Sequence, residues 1–375
     1  MSAYVWGVGT SAFGRQTERL PAELAWEALA EALADAGIDH VDAAYVGTVF
    51  GSLGVAQRAL LGVGLTGIPI VTVENACASG STALHEAKEA IVSGRYERVA
   101  VLGVEHLTSL FEGPIASDPT DREQATGLLF PGIYAMSASR YLHEHDATPE
   151  DLAAVAVKNS RHGALNPRAQ RRRPLSTEDV LSSRMIAEPL TLFQCAALSD
   201  AAAAAILGPS RRSPRDVELR ASALGSGGAW DHASEHVWGY DVVRDTAGVA
   251  YEEAAIGPRD ADLAEVHDAF TIGELVTTEA LGLAEEGGAP ARVRAGDFAL
   301  GGAQPVNPSG GLLSRGHPLG ATGVAQVAEL VWQLRGEAGD RQVQGARVGL
   351  LETMGGGTAG IDGNACVVAV FEGGA

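Results

Sequence analysis

Val73-Glu-Asn-Ala-Cys77-Ala-Ser-Gly-Ser-Thr82 joins a β-branched run, Ile70–Val73, to a stretch of small and helix-favouring residues that reaches Ala90 and is closed by Gly94. The segment reads as a buried strand, a tight turn and a helix, with Cys77 at the helix start. There the unpaired N–H groups and the positive end of the helix dipole would stabilise a thiolate and lower its pKa. The same N–H groups would stabilise an oxyanion on a carbonyl attacked by the sulfur. Ala78, Ser79 and Gly80 leave room for a substrate. Taken alone, the segment also fits a buried, inert cysteine.

Working outward, strands alternate with helices. Pro21–Ala36 is an amphipathic helix with Pro in its first turn and Gly37 as its stop, and Arg98–Val104 is a second buried strand. Residues 105–195 are richer in polar, Pro and Arg residues, with helices over Tyr134–His145 and after Pro149; they read as an insertion over a βαβ core. Ala201–Leu207 returns to strand character, and Gly208–Asp216, rich in Pro, Ser and Arg, is the best boundary. Beyond it come strands Val217–Leu224 and Leu263–Val266, helices Thr271–Leu283 and Ala321–Leu334, and strands Val348–Glu352 and Ala365–Phe371. The expected division is residues 1–210, including the insertion, and residues 215–375, two halves sharing a plan of strand, glycine-rich turn and helix.

A chain of 375 residues, 46% hydrophobic and 20% charged, has the make-up of a folded protein too large for one core. A net charge of −20 argues against nucleic acid or an anionic membrane as partner. An anionic substrate would need a local basic patch, for which Arg168 and Arg171–Arg173 are the candidates. Three dispersed cysteines, Cys77, Cys195 and Cys366, form neither a disulfide framework nor a zinc pattern, so no metal is expected. No signal-like start, membrane-length apolar run or peroxisomal tripeptide is present, which makes a cytoplasmic protein the expectation.

Two further segments carry reactive side chains beside small residues. Glu265-Val-His267-Asp-Ala-Phe270 ends a strand, and His267 suits an acid, a base, a hydrogen-bond donor or simply a helix cap. Asn307-Pro-Ser-Gly-Gly-Leu-Leu-Ser-Arg-Gly-His317-Pro-Leu-Gly-Ala-Thr-Gly323 surrounds one histidine with glycines ahead of an amphipathic helix. It lacks GxxxxGK[ST] and any lysine, so it is not a phosphate loop; a structural turn with an incidental histidine remains open. Glu352-Thr-Met-Gly355-Gly-Gly357 follows a strand and can present backbone N–H groups.

Together these segments resemble the thiolase superfamily, and specifically its sterol-carrier-protein-type members. ENACASG around Cys77 is similar to the nucleophile loop, EVHDAF to a histidine-containing variant of a motif reading Asn-Glu-Ala-Phe in ordinary thiolases, and NPSGGLLSRGHPLGATG to the catalytic-histidine loop. Tyr134-Ala-Met and Val157-Lys-Asn-Ser-Arg-His-Gly-Ala-Leu-Asn-Pro167 add support. The resemblance implies a five-layered αβαβα fold of two similar halves, and an enzyme that makes or breaks carbon–carbon bonds in 3-oxoacyl-CoA thioesters. No cofactor would be tightly bound, and coenzyme A would be a substrate. Cys77 would take the acyl group, and His317 with His267 would polarise the thioester carbonyl. The N–H groups of Cys77 and of Gly355, Gly356 and Gly357 would hold the second oxyanion. Met136, Asn307, Gly310 and Gly311 are expected to contact substrate. The resemblance also implies a homodimer, with a small zinc-ribbon and OB-fold protein as a second possible partner. The second catalytic cysteine of ordinary thiolases is missing: Thr353 stands at its place, and Ala269 occupies the cysteine position of the HDxF motif. By elimination His267 or His317 would move the second proton. A decarboxylating ketosynthase, an aldolase-like lyase of steroid side-chain CoA thioesters and a non-catalytic acyl-CoA or lipid-binding subunit are the alternatives.

Overall fold

The computed structural model describes residues 2–115 and 118–374. The strands are β1 (Ala3–Thr10), β2 (Ala43–Gly47), β3 (Ile70–Val73), β4 (Val99–His106), β5 (Met185–Ala187), β6 (Leu190–Thr191), β7 (Asp200–Gly208), β8 (Val217–Gly225), β9 (Leu263–Glu265), β10 (Val348–Gly355) and β11 (Ala365–Glu372). The helices are α1 (Pro21–Ala36), α2 (Val55–Leu61), α3 (Ser79–Val92), α4 (Phe130–Glu144), α5 (Pro149–Leu165), α6 (Thr177–Leu181), α7 (Tyr240–Ala254), α8 (Thr271–Ala280), α9 (Ala289–Ala295), α10 (Gly311–Ser314) and α11 (Thr322–Leu334).

Nine strands follow the order β3-β2-β4-β7-β1-β8-β11-β10-β9. The order is a palindrome in structural roles. Each half runs from its first strand through an antiparallel neighbour (β7 or β11) to a fourth strand (β4 or β10), and then to a parallel second strand (β2 or β9). The halves meet where Ala3, Tyr4 and Val5 of β1 pair with Leu219, Glu218 and Val217 of β8. In the N-terminal half β3 completes the edge beside β2. In the C-terminal half its place is taken by one parallel bridge, Ala264 to Val306. The loose internal plan read in the sequence is thus a repeat of topology.

The layers follow from which faces are apolar. Outside the first sheet, α1 buries Leu24, Leu29 and a row of alanines against Ala100, Leu102 and Ile206. A fully buried leucine contributes roughly 1.5–3 kcal/mol. The helix rides close because Gly7 and Gly9 lie beneath it; a Cβ on either would meet a helix carbonyl at 2.3 or 2.4 Å. The central layer is α3 and α11, which bury Ala83, Leu84 and Ile91 and Val324, Val327 and Val331 between the two halves of the nine-stranded sheet. The far layer holds α7, α8 and α9 with α4 and α5 of the inserted region packed against them. The architecture is the expected five-layered αβαβα arrangement. No helix among the described residues is long and apolar enough to cross a membrane.

Two sequence expectations are corrected here. Ile70–Val73 is a strand but not a buried one: it is the sheet's outer edge, and Val71 is 45% exposed. β-Branched composition reports strand preference, and an edge strand shares it with a central one. Helix α11, read as amphipathic, buries every residue but the half-buried Trp332, because it is sandwiched between the two halves of the sheet. Its polar residues are satisfied internally: Gln326 donates to the Glu352 carbonyl at 3.0 Å, and Glu329 pairs with Arg341 at 2.9 Å. Strand β2 and helices α2 and α7 went unread, although Val242, Val243, Thr246, Ala247, Ala250 and Ala254 of α7 follow a helical period.

Candidate active site

The repeat places two loops at equivalent points. Each follows a third-strand position and leads into a central helix: Glu74–Ala78 before α3, and the long run from Asn307 to Ala321 before α11. The Cys77 loop is short and strained. Ala76 adopts φ 48°, a left-handed conformation that a non-glycine residue holds only when its surroundings impose it. They do. The Ser79 hydroxyl donates to the Ala76 carbonyl at 2.6 Å and accepts from the Asn75 N–H at 2.9 Å, while Glu74 accepts from the Ala76 N–H at 2.7 Å. Helix α3 begins at Ser79, so Cys77 precedes the helix instead of opening it.

That position changes the electrostatics expected for the sulfur. Burial, reinforced by the Glu105 and Glu74 carboxylates, pushes the Cys77 thiol up to about 12. The anticipated lowering by the helix dipole loses to desolvation. A thiol raised this far is in its neutral form near pH 7.

Two imidazoles stand within reach. The Cys77 sulfur and ring nitrogens of His267 and His317 all lie within 4.8 Å of one another. The two rings meet edge to face, 5.0 Å between centroids at 79°. The Thr322 hydroxyl donates to the Pro318 carbonyl at 3.1 Å, so it accepts from Nδ1–H of His317 at 2.8 Å. This network assigns the tautomer and leaves Nε2 as a bare base. Burial, with His267 and Arg315 nearby, holds His317 well below the usual imidazole range, and burial alone takes His267 down to about 3. Nδ1 of His267 has no hydrogen-bond partner among the described residues.

Glycines bring these groups together. Gly320 is wedged among Gly47, Gly80 and Gly103: its own Cβ would lie 2.6 Å from Thr48, and one on Gly80 or Gly103 would meet the Gly320 carbonyl at 2.5 or 2.4 Å. Glu105 locks the junction, accepting from the N–H groups of Val49, Phe50 and Gly320 at 2.9–3.0 Å. On the other side, Gly355 touches the Cys77 loop so closely that a Cβ would meet the Asn75 carbonyl at 2.1 Å.

Beneath the histidines lies a buried polar lattice. Asn159 donates to Asp268 and Glu274 at 2.7 Å each, and Asn307 donates to Glu274 at 2.8 Å. Asp268 accepts from the Leu312 N–H at 2.6 Å, while Glu265 accepts from Ser309 at 2.7 Å and pairs with Arg315 at 3.1 Å. The Lys158-Asn-Ser-Arg-His162 run is therefore a clamp on the histidine loops. His162 donates to the Asn307 carbonyl and accepts from the Leu300 N–H, fitting a neutral ring that burial takes down to about 3.

All three reactive groups open on one cavity of about 770 Å³, walled by Phe111, Phe130, Tyr134, Trp238, Phe270 and Leu319. Gly356 and Gly357 line it, and among the described residues the Gly356 N–H donates to no protein acceptor. The predicted substrate contacts fare differently. Met136 is 44% exposed on α4 and does not line the cavity. Asn307, Gly310 and Gly311 are buried in the lattice, where side chains would clash: a Cβ on Gly311 would sit 2.2 Å from Asp268. Of the expected basic patch, Arg168 pairs with Glu31 and Arg173 with Asp179, whereas Arg171 lines the cavity.

Thr353, at the place of the absent cysteine, faces α11 and bonds Gln326. Ala269 and Cys195 line the cavity; Cys366 lies behind Glu352. The sequence reading missed Glu105 and Glu352, although each is the lone carboxylate of its strand. Glu352 accepts from the His267 backbone N–H at 2.9 Å, and burial pushes its carboxyl up to about 8. Cys77, His267 and His317 are also the one cluster among the described residues with metal-donor types at metal-site separations. It brings no carboxylate, and His267 lacks the second hydrogen bond that orients metal-bound imidazoles.

Residues 8–210 match the family described as "Thiolase, N-terminal domain", and residues 227–362 the one described as "Thiolase C-terminal domain-like". The acetyl-CoA acetyltransferase of Methanothermobacter thermautotrophicus is 40% identical over 371 residues, covering 95% of this chain and 97% of that one. Sterol carrier protein 2 of Gallus gallus is 39% identical over 389 residues, covering 95% of this chain and 70% of its own. The solved Ltp2-ChsH2(DUF35) aldolase superposes with a TM-score of 0.85 at 26% identity, over 99% of this chain and 98% of that one. The chain belongs to the thiolase family of acyltransferases.

Proposed function

We propose that the protein forms or cleaves carbon–carbon bonds in 3-oxoacyl-CoA thioesters through an acyl-enzyme on Cys77. The observation that carries this reading is the convergence of one thiol and two neutral imidazoles on a single apolar cavity. As the substrate carbonyl arrives, Nε2 of His317 takes the Cys77 proton and the sulfur attacks. The resulting oxyanion is held by the Cys77 and Gly356 N–H groups. Breaking the bond between C2 and C3 then leaves the acyl group on Cys77 and a thioester enolate, whose oxygen faces the Nε2–H that His317 has just gained, beside His267; the enolate takes a proton and departs, and the thiol of CoA attacks the acyl-enzyme to release the shortened thioester. His267, neutral and with an unpaired Nδ1, is the proposed carrier of the proton that the absent cysteine would move. Exposed Arg15 and Arg184 on the cavity supply positive charge for the CoA phosphates. The open edge of β3 suits pairing with a second copy in a homodimer, in a cytoplasmic setting.

Incubation with 3-oxoacyl-CoA followed by mass spectrometry tests the reading. An acyl mass on Cys77 is expected, and full thiolysis by Cys77→Ala would sink it. A second reading, an aldolase-like lyase acting with a DUF35-type partner, draws on the likeness to the Ltp2-ChsH2(DUF35) aldolase. A retro-aldol cleavage needs no acyl-enzyme, so lyase activity surviving in Cys77→Ala with such a partner would favour it.

A further inference from the structure

Arg171 is a cation that the proposed chemistry does not use. It lines the same cavity as Cys77, yet it pairs with no carboxylate among the described residues. Its guanidinium is held by two backbone carbonyls, of Cys195 and Leu313, each at 3.3 Å, and stacks 5.7 Å above the Phe193 ring. Those are weak bonds for a group with five donors, and carbonyls do not neutralise charge. Its backbone is fixed as well: the Arg171 N–H donates to the Ser314 carbonyl at 2.9 Å, tying it to the loop that carries His317.

Burial lowers the guanidinium from its ordinary range, which marks the expense of keeping it uncompensated. Of the acids on the cavity's far segment, exposed Glu112 forms no ion pair with it among the described residues, and two others are engaged elsewhere. Asp118 accepts from Thr120, and Asp121 from the N–H groups of Glu123, Gln124 and Ala359. The lining that Arg171 shares combines apolar Ile186, Leu192, Ala196 and Leu198 with the Gln170 amide and exposed Arg184. A largely apolar cavity that also holds an oriented guanidinium paired with no carboxylate suits a chain that is apolar along its length and anionic at its tip.

Resting on the thioester chemistry above, we infer that Arg171 receives a carboxylate at the far end of the acyl chain, so that the enzyme prefers ω-carboxyacyl-CoA thioesters to neutral ones. A bidentate guanidinium–carboxylate pair in a partly desolvated site is worth about 100-fold in discrimination.

The test measures thiolysis of matched 3-oxoacyl-CoA pairs of increasing length, each pair differing only in a terminal carboxylate or methyl group. Wild-type protein is expected to show a kcat/KM ratio of about 100 in favour of the carboxylate at the best-fitting length. Arg171→Gln should bring that ratio close to one, and Arg171→Lys should restore part of it. A wild-type ratio near one at every length overturns the inference, whether or not the variants fold. So does a rise in the KM for CoA that affects both members of each pair equally, which would assign the anion to a CoA phosphate. Failure of the underlying thioester reading would look different: no substrate of either kind would leave an acyl mass on Cys77.

Discussion

The Cys77 loop and the His317 loop occupy equivalent places in the two halves, and they are built in opposite ways. The first is four or so residues of strained backbone held by local bonds from Ser79 and Glu74. The second spans Asn307 to Ala321 and is held by a distant, buried lattice from β9, α5 and α8. One loop stores strain to present a sulfur. The other spreads its support over many charged groups to hold an imidazole still. Equal topology therefore does not mean equal work: reactivity sits where the chain is short, and precision where it is long and braced.

Replacing each reactive group should break this division most severely. Cys77→Ala is expected to lower thiolysis by at least about 10⁴-fold and to abolish the acyl adduct, read by coupled assay and mass spectrometry. His317→Ala removes the base but leaves the sulfur, and a loss of about 10³-fold in kcat is expected. An effect below tenfold would move the base elsewhere.

The bracing can be probed without touching either group. Arg315→Met strips the partner from buried Glu265, and a destabilisation of about 3 kcal/mol by denaturant unfolding is expected. The equivalent contacts of the short loop are hydrogen bonds worth about 1 kcal/mol each. Equal losses in Arg315→Met and Ser79→Ala would erase the contrast. Gly320→Ala forces a methyl against Gly47 and Thr48, and overpacking of about 1–3 kcal/mol should accompany a fall in kcat as the loops part.

The gentlest probe is pH. Because burial raises the Cys77 thiol, the thiolate fraction of free enzyme grows with pH and does not level off near neutrality. Iodoacetamide labelling of Cys77 should therefore rise about tenfold per pH unit between pH 6 and 9. A plateau by pH 7 would mean a preformed thiolate–imidazolium pair, and the sulfur would then resemble the thiolate that the sequence alone suggested.

Much of the site could be read before any coordinates. The Cys77, His267 and His317 segments each pair a reactive side chain with small residues at an element boundary, a purely local signal. The wrong inferences came where a local signal was asked a non-local question. Asn307, Gly310 and Gly311 sit beside a reactive histidine in the sequence, yet their glycines exist to admit Asp268 and Gly163 and not a substrate. Ile70–Val73 has the composition of a core strand because its backbone preference is that of any strand.

Local pattern in the chain carried the helix and strand periods, the recurring plan of strand, turn and helix, and the candidate trio Cys77, His267 and His317, since each depends on residues adjacent in the chain. Tertiary structure alone decided the protonation state of the sulfur, the role of Glu105 and the exposure of Arg171 to the cavity. Those depend on desolvation and on neighbours far away in the chain, and burial is a property of the packed molecule that no local pattern encodes.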